Sequence, residues 1–363
     1  MPIPVTRSSM PPLDKYISII SPLWESRWLT NAGVLHEALN EKLMARLDAE
    51  YVVLFANGHI ALEMGIQALG LTGEIITTPF TFASTTQAIV RCGCTPVFCD
   101  IDPIRFTIDP KKVEALITER TTAIVDVHVY GIPCYTTEIE KIAKKHCLKI
   151  IYDAAHAFGI EYLGQAIANF GDLSMFSFHA TKVFHSVEGG CVVVKEKKLA
   201  ETLCSLRNFG LGGGTTIALG GNGKMSEFHA AMGLCNIENI ENEISKRREV
   251  SERYDEKLKN IRGLQFFPDI DGLKRNYSYY PIITDERDSL CEFLNRHGIM
   301  VRKYFYPLTN MFDCYEGLRN PEITPNAEIV ANGVLCLPLY SELALTEVDE
   351  ICEAIWKMKK ETV

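Results

Sequence analysis

Residues 121–159 read TTAIVDVHVYGIPCYTTEIEKIAKKHCLKIIYDAAHAFG and decide the fold class of this chain. Two apolar segments rich in β-branched residues, 121–131 and 148–159, enclose a segment of helical apolar spacing at 137–147. A buried strand, a helix and a second buried strand form the repeating unit of a parallel sheet whose two faces are covered by helices. The stretch therefore predicts an α/β fold.

The same alternation extends in both directions from this unit. Towards the N-terminus, strand-like runs at 51–58, 74–84 and 95–102 alternate with helical patterns. Towards the C-terminus, strand-like runs follow at 172–180 and at 189–196, where the sheet is predicted to end. We therefore predict a mostly parallel sheet that is covered by helices on both faces.

The outer parts of the chain do not follow this alternation. Residues 1–30 contain five prolines and predict an irregular segment. A glycine-rich loop at 211–224 precedes a continuous helical run at 225–258, and strand-like pieces and a further helix follow. We predict three parts, which are the irregular segment, a large domain over 31–240 and a small α+β domain over 241–363.

Composition and charge disfavour several classes of function. The net charge of −9 gives no basic footprint for nucleic acid or for an anionic membrane. No apolar run is long enough to span a bilayer, and no signal-peptide pattern opens the chain. The twelve cysteines lack the spacing of metal ligands. We expect a cytoplasmic protein with reduced thiols, no bound metal, and neither nucleic acid nor a membrane as partner.

A tight turn at Asn57 and Gly58 joins a strand-like run to a helix that is predicted to begin near His59. Free N–H groups and the positive dipole end at a helix start suit a phosphate. An ordinary strand–helix turn has the same sequence, so both interpretations stay open on these residues. The chain has no G-x-G-x-x-G or Walker pattern, which disfavours a dinucleotide or nucleoside triphosphate site.

Two further candidates follow at strand ends. Asp153 ends an apolar strand, where open α/β sheets bind ligands, and its carboxylate suits a ring nitrogen as well as a helix N-cap. Lys182 follows the strand-like run at 172–180 among small, hydroxyl and imidazole side chains. A solvated loop lysine is the ordinary alternative to a nucleophilic one. The order of phosphate turn, carboxylate and lysine is that of a pyridoxal phosphate enzyme.

With these residues assembled, the sequence resembles the sugar aminotransferases of the DegT/DnrJ/StrS family from about Trp28 to the C-terminus. The motifs that carry the resemblance by their order and spacing are NGHIALEMGIQALGL, TTPFTFASTTQAI, VFCDIDPIRFTIDP, VHVYGIPC, YDAAHAFG, SFHATK, EGG and GGNGKMSEFHAAMGL. The resemblance implies the aspartate aminotransferase-like fold of type I, with a large seven-stranded sheet domain. It also implies pyridoxal 5′-phosphate as cofactor, cycling with pyridoxamine 5′-phosphate.

The resemblance also implies roles for individual residues. Lys182 would bond covalently to the cofactor and later move a proton, and Asp153 would pair with the pyridine nitrogen. His156 would contact the ring 3′-oxygen in place of the family's usual Gln, with a charge state that we expect to vary near neutral pH. The remaining contacts would come from Phe82, which stacks on the ring, and from the phosphate-binding residues Gly58, His59, Ile60 and Ser177.

One further implication concerns the quaternary structure. Asn222 or Lys224, in the GGNGKMSE loop, would reach across a dimer interface to the neighbour's cofactor phosphate. The resemblance therefore implies a homodimer with shared active sites. His59 replaces the commoner Thr after the glycine, so the backbone N–H rather than a hydroxyl would serve the phosphate.

Candidates for substrate contact are less sharply defined. His179 and His185 flank the lysine, and each suits the sugar or diphosphate as well as a structural role. WESRWLTNAG (24–33) resembles the same segment of the C4-aminating subset of the family, and we expect it to help build the sugar pocket, where we select Thr30. VRKYFYPL (301–308) offers Arg302, Lys303, Tyr304 and Tyr306, of which we select Tyr306.

The resemblance implies amination at C4 of a nucleotide-linked 4-keto-6-deoxyhexose, with L-glutamate as amino donor. The favoured acceptor is dTDP-4-keto-6-deoxyglucose, and the product is dTDP-4-amino-4,6-dideoxyglucose. A UDP-linked analogue and a C3-keto sugar are the alternatives within this class. A protein that binds the cofactor or sugar nucleotide without turnover is the alternative from another class. A sugar dehydratase is disfavoured because those relatives carry histidine where this chain has Lys182.

Overall fold

The computed structural model describes residues 2–318 and 324–361 of the 363-residue chain. The helices are α1 Leu13–Ile20, α2 Leu23–Ser26, α3 Val34–Arg46, α4 Gly58–Ala68, α5 Ala83–Arg91, α6 Pro110–Val113, α7 Thr136–His146, α8 Lys197–Leu206, α9 Glu227–Ile237, α10 Ile240–Leu258, α11 Arg287–Arg296, α12 Pro325–Gly333 and α13 Leu345–Glu361. The strands are β1 Tyr51–Phe55, β2 Glu74–Thr77, β3 Thr95–Phe98, β4 Thr121–Val127, β5 Lys149–Asp153, β6 Glu161–Tyr162, β7 Gln165–Ala166, β8 Leu173–Ser177, β9 Gly190–Val194, β10 Leu211–Gly212, β11 Thr215–Thr216, β12 Leu273–Lys274, β13 Tyr280–Ile283 and β14 Val334–Leu337.

Within the described residues, seven strands form one sheet in the order β1-β9-β8-β5-β4-β2-β3. Strand β9 is antiparallel to both of its neighbours, and the other pairings are parallel. The isoleucine and valine residues of β4 and β5 are buried because hydrophobic clusters cover both faces of the sheet. This confirms the predicted α/β fold with a large, mostly parallel sheet that ends near residue 194.

The parallel pairing fixes where chemistry can take place. Strands β5 and β8 pair in register over Ile151 with Leu173 and Asp153 with Met175. Their carboxyl ends, at Asp153 and Ser177, therefore lie at the same edge of the sheet, where ligands bind in open α/β folds.

Two predictions about the outer parts of the chain are wrong. Residues 1–30 are not irregular throughout, because they form helices α1 and α2. Pro12 and Pro22 precede these two helices, where a missing backbone N–H does not disrupt the hydrogen-bond ladder. The helical run over 225–258 is broken between α9 and α10 rather than continuous.

The C-terminal part of the chain has its own hydrophobic cluster. Strands β13 and β14 pair antiparallel, and α10, α11 and α13 supply most of the cluster that packs on them. Ile3 joins this cluster and pairs with Ile299, so the N-terminal segment is bound to the C-terminal part. The domain limits over 31–240 and 241–363 stay a prediction. Among the described helices, none is both long and apolar enough to cross a bilayer.

A buried carboxylate joins α3 to α9. Glu227 is 1% exposed and accepts backbone N–H bonds from Gly33 at 3.2 Å, Leu35 at 2.8 Å and His36 at 3.2 Å. These N–H groups open α3, so the carboxylate satisfies donors that a helix start otherwise leaves without partners. A Cβ at Gly33 would lie 2.7 Å from Cδ of Glu227, so only glycine allows this approach.

We predict that Glu227→Ala lowers the free energy of unfolding by about 3 kcal/mol, because three N–H groups at the start of α3 lose a charged acceptor. Denaturant titration of the purified protein measures this change. Glu241→Ala is the matched control, since Glu241 is exposed and pairs only with Arg46 among the described residues. We expect less than about 1 kcal/mol for the control. Equal effects of the two substitutions would contradict the capping role of Glu227.

Candidate active site

A cavity of about 650 Å³ lies at the carboxyl edge of the sheet. It brings together eight of the residues predicted from sequence, which are Gly58, His59, Phe82, Asp153, His156, Ser177, His179 and Lys182. The ends of β1, β5 and β8 and the starts of α4 and α5 supply most of them. Residues distant in sequence therefore converge because the strands that carry them are parallel neighbours or near neighbours.

The turn into α4 is built for close approach. Asn57 caps the helix, and its Oδ1 accepts the N–H of Ile60 at 2.9 Å. The N–H of Ile60 therefore already has an acceptor, whereas Gly58 and His59 lie in the first turn, whose N–H groups lack intrahelical acceptors. A Cβ at Gly58 would lie 2.9 Å from Cβ of Ser177, so glycine lets the turn pack on the end of β8. This arrangement presents N–H groups to the cavity.

Phe82 forms one wall of the cavity. It is the residue before α5, and 56% of it is exposed even though the ring is large and apolar. An exposed aromatic face beside a cavity is available to stack on a flat ligand ring.

Asp153 is a buried carboxylate held by two donors. Its Oδ2 accepts from Oγ1 of Thr85 at 2.8 Å, and its Oδ1 accepts from the N–H of Ala155 at 3.1 Å. Burial raises the pKa of Asp153, while Thr85, Ala155 and the charge of Lys182 oppose that rise. The carboxylate can thus face a cationic ring nitrogen from a fixed position.

His156 is held as a neutral ring. Its Nδ1 accepts the N–H of Tyr130 at 3.1 Å, which leaves the proton of the neutral imidazole on Nε2. Burial, and secondly the charge of Lys182, lower the pKa of His156 well below its usual value. The expectation of a variable charge near neutral pH is therefore wrong. The ring therefore has one tautomer, and its Nε2–H can donate a hydrogen bond as the N–H of an amide side chain would at this position.

Lys182 faces the same cavity from the loop after β8. Its backbone N–H donates to the carbonyl of His179 at 2.9 Å, which closes a turn and directs the chain back towards β9. Desolvation lowers the pKa of Lys182 to about 8, and the charge of Asp153 partly opposes this change. The amine is therefore available as a nucleophile near neutral pH.

Six of the sequence-predicted residues do not line the cavity, namely Thr30, Ile60, His185, Asn222, Lys224 and Tyr306. His185 is buried, and its Nε2 bonds the carbonyl of Ser9 at 2.7 Å. Lys224 donates to Oδ1 of Asn208 at 2.9 Å. Within this chain, His185 therefore holds the N-terminal segment in place, and Lys224 stabilises its own loop.

Sequence reasoning did not select twelve other residues that line the cavity, among them Thr81, Ser84, Gln87, Glu188, Arg302 and Tyr304. The segment over 301–308 was identified, but Tyr306 was chosen from it. Tyr306 instead lies under the guanidinium of Arg287 at 4.4 Å. Arg302 pairs with Cys336 of β14, and this bridge sets which side chains of the segment face the cavity. That pairing joins residues far apart in sequence, so no local pattern reveals it.

His179 and Glu188 face each other at the mouth of the cavity. Nε2 of His179 lies 3.7 Å from Oε1 of Glu188, and its Nδ1 lies 2.9 Å from Oγ1 of Thr181. No group of three or more His, Cys, Asp or Glu side chains is placed to bind a metal within residues 2–318 and 324–361.

Comparison with known proteins agrees with this geometry. The model of the DegT/DnrJ/EryC1/StrS aminotransferase family matches residues 15–356. The chain belongs to this family. It is 42% identical to a dTDP-4-amino-4,6-dideoxy-D-glucose transaminase of Shigella dysenteriae, over 99% of both chains.

Two solved structures are also similar to it. The structure of DesI in the presence of its TDP-sugar product has a TM-score of 0.95 and 34% identity, covering 99% of this chain and 94% of DesI. The structure of NtdA from Bacillus subtilis, with its bound cofactor PMP, has a TM-score of 0.86 and 26% identity. That likeness covers 96% of this chain and 82% of NtdA.

The residues of the cavity fit the cofactor of such aminotransferases. Pyridoxal phosphate needs an amine for its aldehyde, a carboxylate for its ring nitrogen and N–H donors for its phosphate. Lys182, Asp153 and the first turn of α4 supply these groups around one cavity. Because Gly58 has no Cβ, this turn can pack closely on Ser177 at the end of β8.

We predict that Lys182 is acylated by a small neutral reagent with half-maximal rate near pH 8, because its lowered pKa of about 8 leaves the amine unprotonated above that pH. Graded-pH labelling with peptide mass spectrometry measures this rate. In Asp153→Asn the midpoint falls, since the charge that holds the proton on Lys182 is lost. A midpoint for Lys182 near 10.5, the ordinary pKa of a lysine side chain, would contradict the desolvation of the amine.

Proposed function

We propose that this protein transfers the amino group of L-glutamate to C4 of dTDP-4-keto-6-deoxyglucose, using pyridoxal phosphate, and forms dTDP-4-amino-4,6-dideoxyglucose. The observation that carries the proposal is the convergence of Lys182, Asp153 and His156 on one cavity. The choice of sugar is supported by the 42% identity to a relative that is named dTDP-4-amino-4,6-dideoxy-D-glucose transaminase. The site of amino-sugar synthesis would be the cytoplasm.

The main residues of the cavity each have a defined task in the proposed reaction. Bound pyridoxal phosphate supplies the electron sink that allows an amino group to leave one carbon and join another. Lys182 would hold the cofactor through its side-chain nitrogen, and Nζ would take a proton from the donor carbon and later give one to C4 of the sugar. A pKa of about 8 lets Nζ both accept and give up this proton near neutral pH.

The surrounding groups hold the reacting parts in place. Asp153 would keep the ring nitrogen protonated, and Nε2 of His156 would donate to the ring oxygen. Gly58 and His59 offer N–H groups to the phosphate, with Ser177 at the end of β8 beside them. Arg302 at the cavity wall is a cation suited to the donor carboxylate or the sugar diphosphate.

The proposal includes a homodimer that shares its active sites through Asn222 or Lys224 of the neighbour. Apolar side chains around the hairpin of β10 and β11 support an interface there, since Phe209 is 50% exposed, Ile217 67% and Leu219 95%. A second exposed apolar group lies in the N-terminal helices, including Leu13 at 72% and Trp24 at 67%. An interface with a second copy of the chain would remove both groups of apolar side chains from water.

We predict that the protein in its pyridoxamine form regains its yellow colour with a dTDP-linked 4-keto-6-deoxyhexose, because transfer of the amine restores the lysine-bound cofactor. Absorption spectra with a panel of dTDP- and UDP-linked 4-keto and 3-keto sugars measure this. Lys182→Ala should lose transfer by roughly 10³-fold or more.

The panel distinguishes the alternatives. If a UDP-linked or 3-keto sugar restores the colour instead, the proposed substrate is wrong and the proposed reaction class still holds. Full activity of Lys182→Ala would contradict the catalytic role of the lysine. Absence of any half-reaction with L-glutamate or other amino acids would favour a cofactor-binding protein without turnover.

We also predict that mixing two inactive variants restores activity. Lys182→Ala lacks the lysine in its own site, and the double variant Asn222→Ala with Lys224→Ala lacks the groups that reach the neighbour. In a mixed dimer one of the two sites has all its residues, so random exchange should give about one quarter of wild-type activity. Mixing each variant with itself is the control. No recovery in mixtures shown to exchange subunits would contradict shared sites.

A further inference from the structure

A chain of buried hydroxyl groups leads to the carboxylate of Asp153. Oγ1 of Thr85 lies 2.8 Å from Oδ2 of Asp153, and Oγ1 of Thr81 lies 2.8 Å from Oγ1 of Thr85. Thr81 is 2% exposed, Thr85 is fully buried and Asp153 is 5% exposed. Water therefore has little access to replace any of these hydrogen bonds.

The donor and the acceptor in each of these hydrogen bonds follow from counting the hydroxyl protons. An ionised carboxylate only accepts, so Thr85 donates its single hydroxyl proton to Asp153. Thr85 then has no proton left for Thr81, and Thr81 must donate to Thr85. Both bonds therefore point towards the carboxylate, and donors aligned in this way polarise one another.

The local sequence explains why the two threonines meet. Thr81 lies two residues before α5 and Thr85 lies in its first turn, and the extended backbone of the N-cap residue Phe82 folds the approaching chain so that their hydroxyl groups meet. The N–H of Thr85 donates to the carbonyl of Phe82 at 3.2 Å, which fixes the first turn. Phe82, the cavity-wall aromatic ring, lies between the two threonines in sequence.

We propose that Thr85, supported by Thr81, is a positioning residue that holds the Asp153 carboxylate ionised and aimed at the ring nitrogen of the cofactor. With Oδ2 bonded to Thr85 and Oδ1 to the N–H of Ala155, rotation of the carboxylate is blocked at both oxygens. The inference rests on the proposed function, since it gives Thr85 a role only through the cofactor contact of Asp153.

The electrostatics agree with this role. Burial raises the pKa of Asp153, and the Thr85 hydroxyl is the largest of the influences that oppose the rise. Loss of this hydroxyl would therefore favour the protonated acid, which cannot keep the ring nitrogen cationic.

The test compares purified holoproteins that carry Thr85→Val, Thr85→Ser or Thr81→Val. We expect Thr85→Val to release bound pyridoxal phosphate roughly ten-fold faster, because a charged hydrogen bond is lost. The midpoint in the pH titration of the yellow absorption band should also move to higher pH. A ring nitrogen without its positive charge no longer repels the proton on the neighbouring lysine-bound nitrogen. Thr85→Ser should restore both values because it keeps the hydroxyl.

Thr86→Val is the matched control, because Thr86 is also a buried threonine of α5 but bonds Oγ1 of Thr309 at 3.0 Å instead of Asp153. We expect it to lower stability without changing cofactor release or the spectral midpoint. Equal behaviour of Thr85→Val and Thr86→Val in both measurements would overturn the positioning role.

A double-mutant cycle tests the contribution of Thr81. If Thr81 acts through Thr85, then Thr81→Val weakens cofactor retention in the wild-type background and has no further effect in Thr85→Val. Independent, additive effects would overturn the directed chain. A wild-type protein that stays colourless with pyridoxal phosphate would contradict the proposed function itself. A yellow wild type with an unchanged Thr85→Val overturns only the role of Thr85.

Discussion

The chemistry proposed for this molecule depends on the opposition between one buried carboxylate and one desolvated amine. Burial raises the pKa of Asp153 and lowers that of Lys182, so both groups are driven towards their neutral forms. Each charge favours the charged form of the other, which limits both changes. The site therefore keeps an acid that can stay ionised beside an amine that can lose its proton. A substitution at either residue changes the chemistry of both.

The sheet makes this opposition possible. Strands β5 and β8 are parallel neighbours, so Asp153 and the segment leading to Lys182 leave the sheet at one edge. Gly190 of β9 packs on Gly58, since a Cβ at Gly190 would lie 2.7 Å from Cα of Gly58. The turn that presents N–H groups is thus fastened to the same sheet as the two ionisable groups. The fold supplies distances that flexible loops alone would not maintain.

Sequence alone predicted those parts of the site that lie directly at strand ends. Gly58, Asp153 and Ser177 follow apolar runs whose period and flanking residues identify them as strands, and their meeting follows from parallel pairing. Arg302 and Tyr304 could not be chosen over Tyr306 in this way. Their orientation depends on the bridge to Cys336, a contact that local periodicity does not encode.

His156 shows how a residue's surroundings decide its chemistry. As a sequence feature, histidine in place of the family's glutamine implied a charge that changes near neutral pH. In the structure, Tyr130 donates its N–H to Nδ1, while burial and the nearby amine of Lys182 disfavour a second proton. The ring therefore offers one N–H and no charge, which is what an amide offers to a ring oxygen. The substitution leaves the charge balance of the site to Asp153 and Lys182, because histidine here has lost the property that distinguishes it from glutamine.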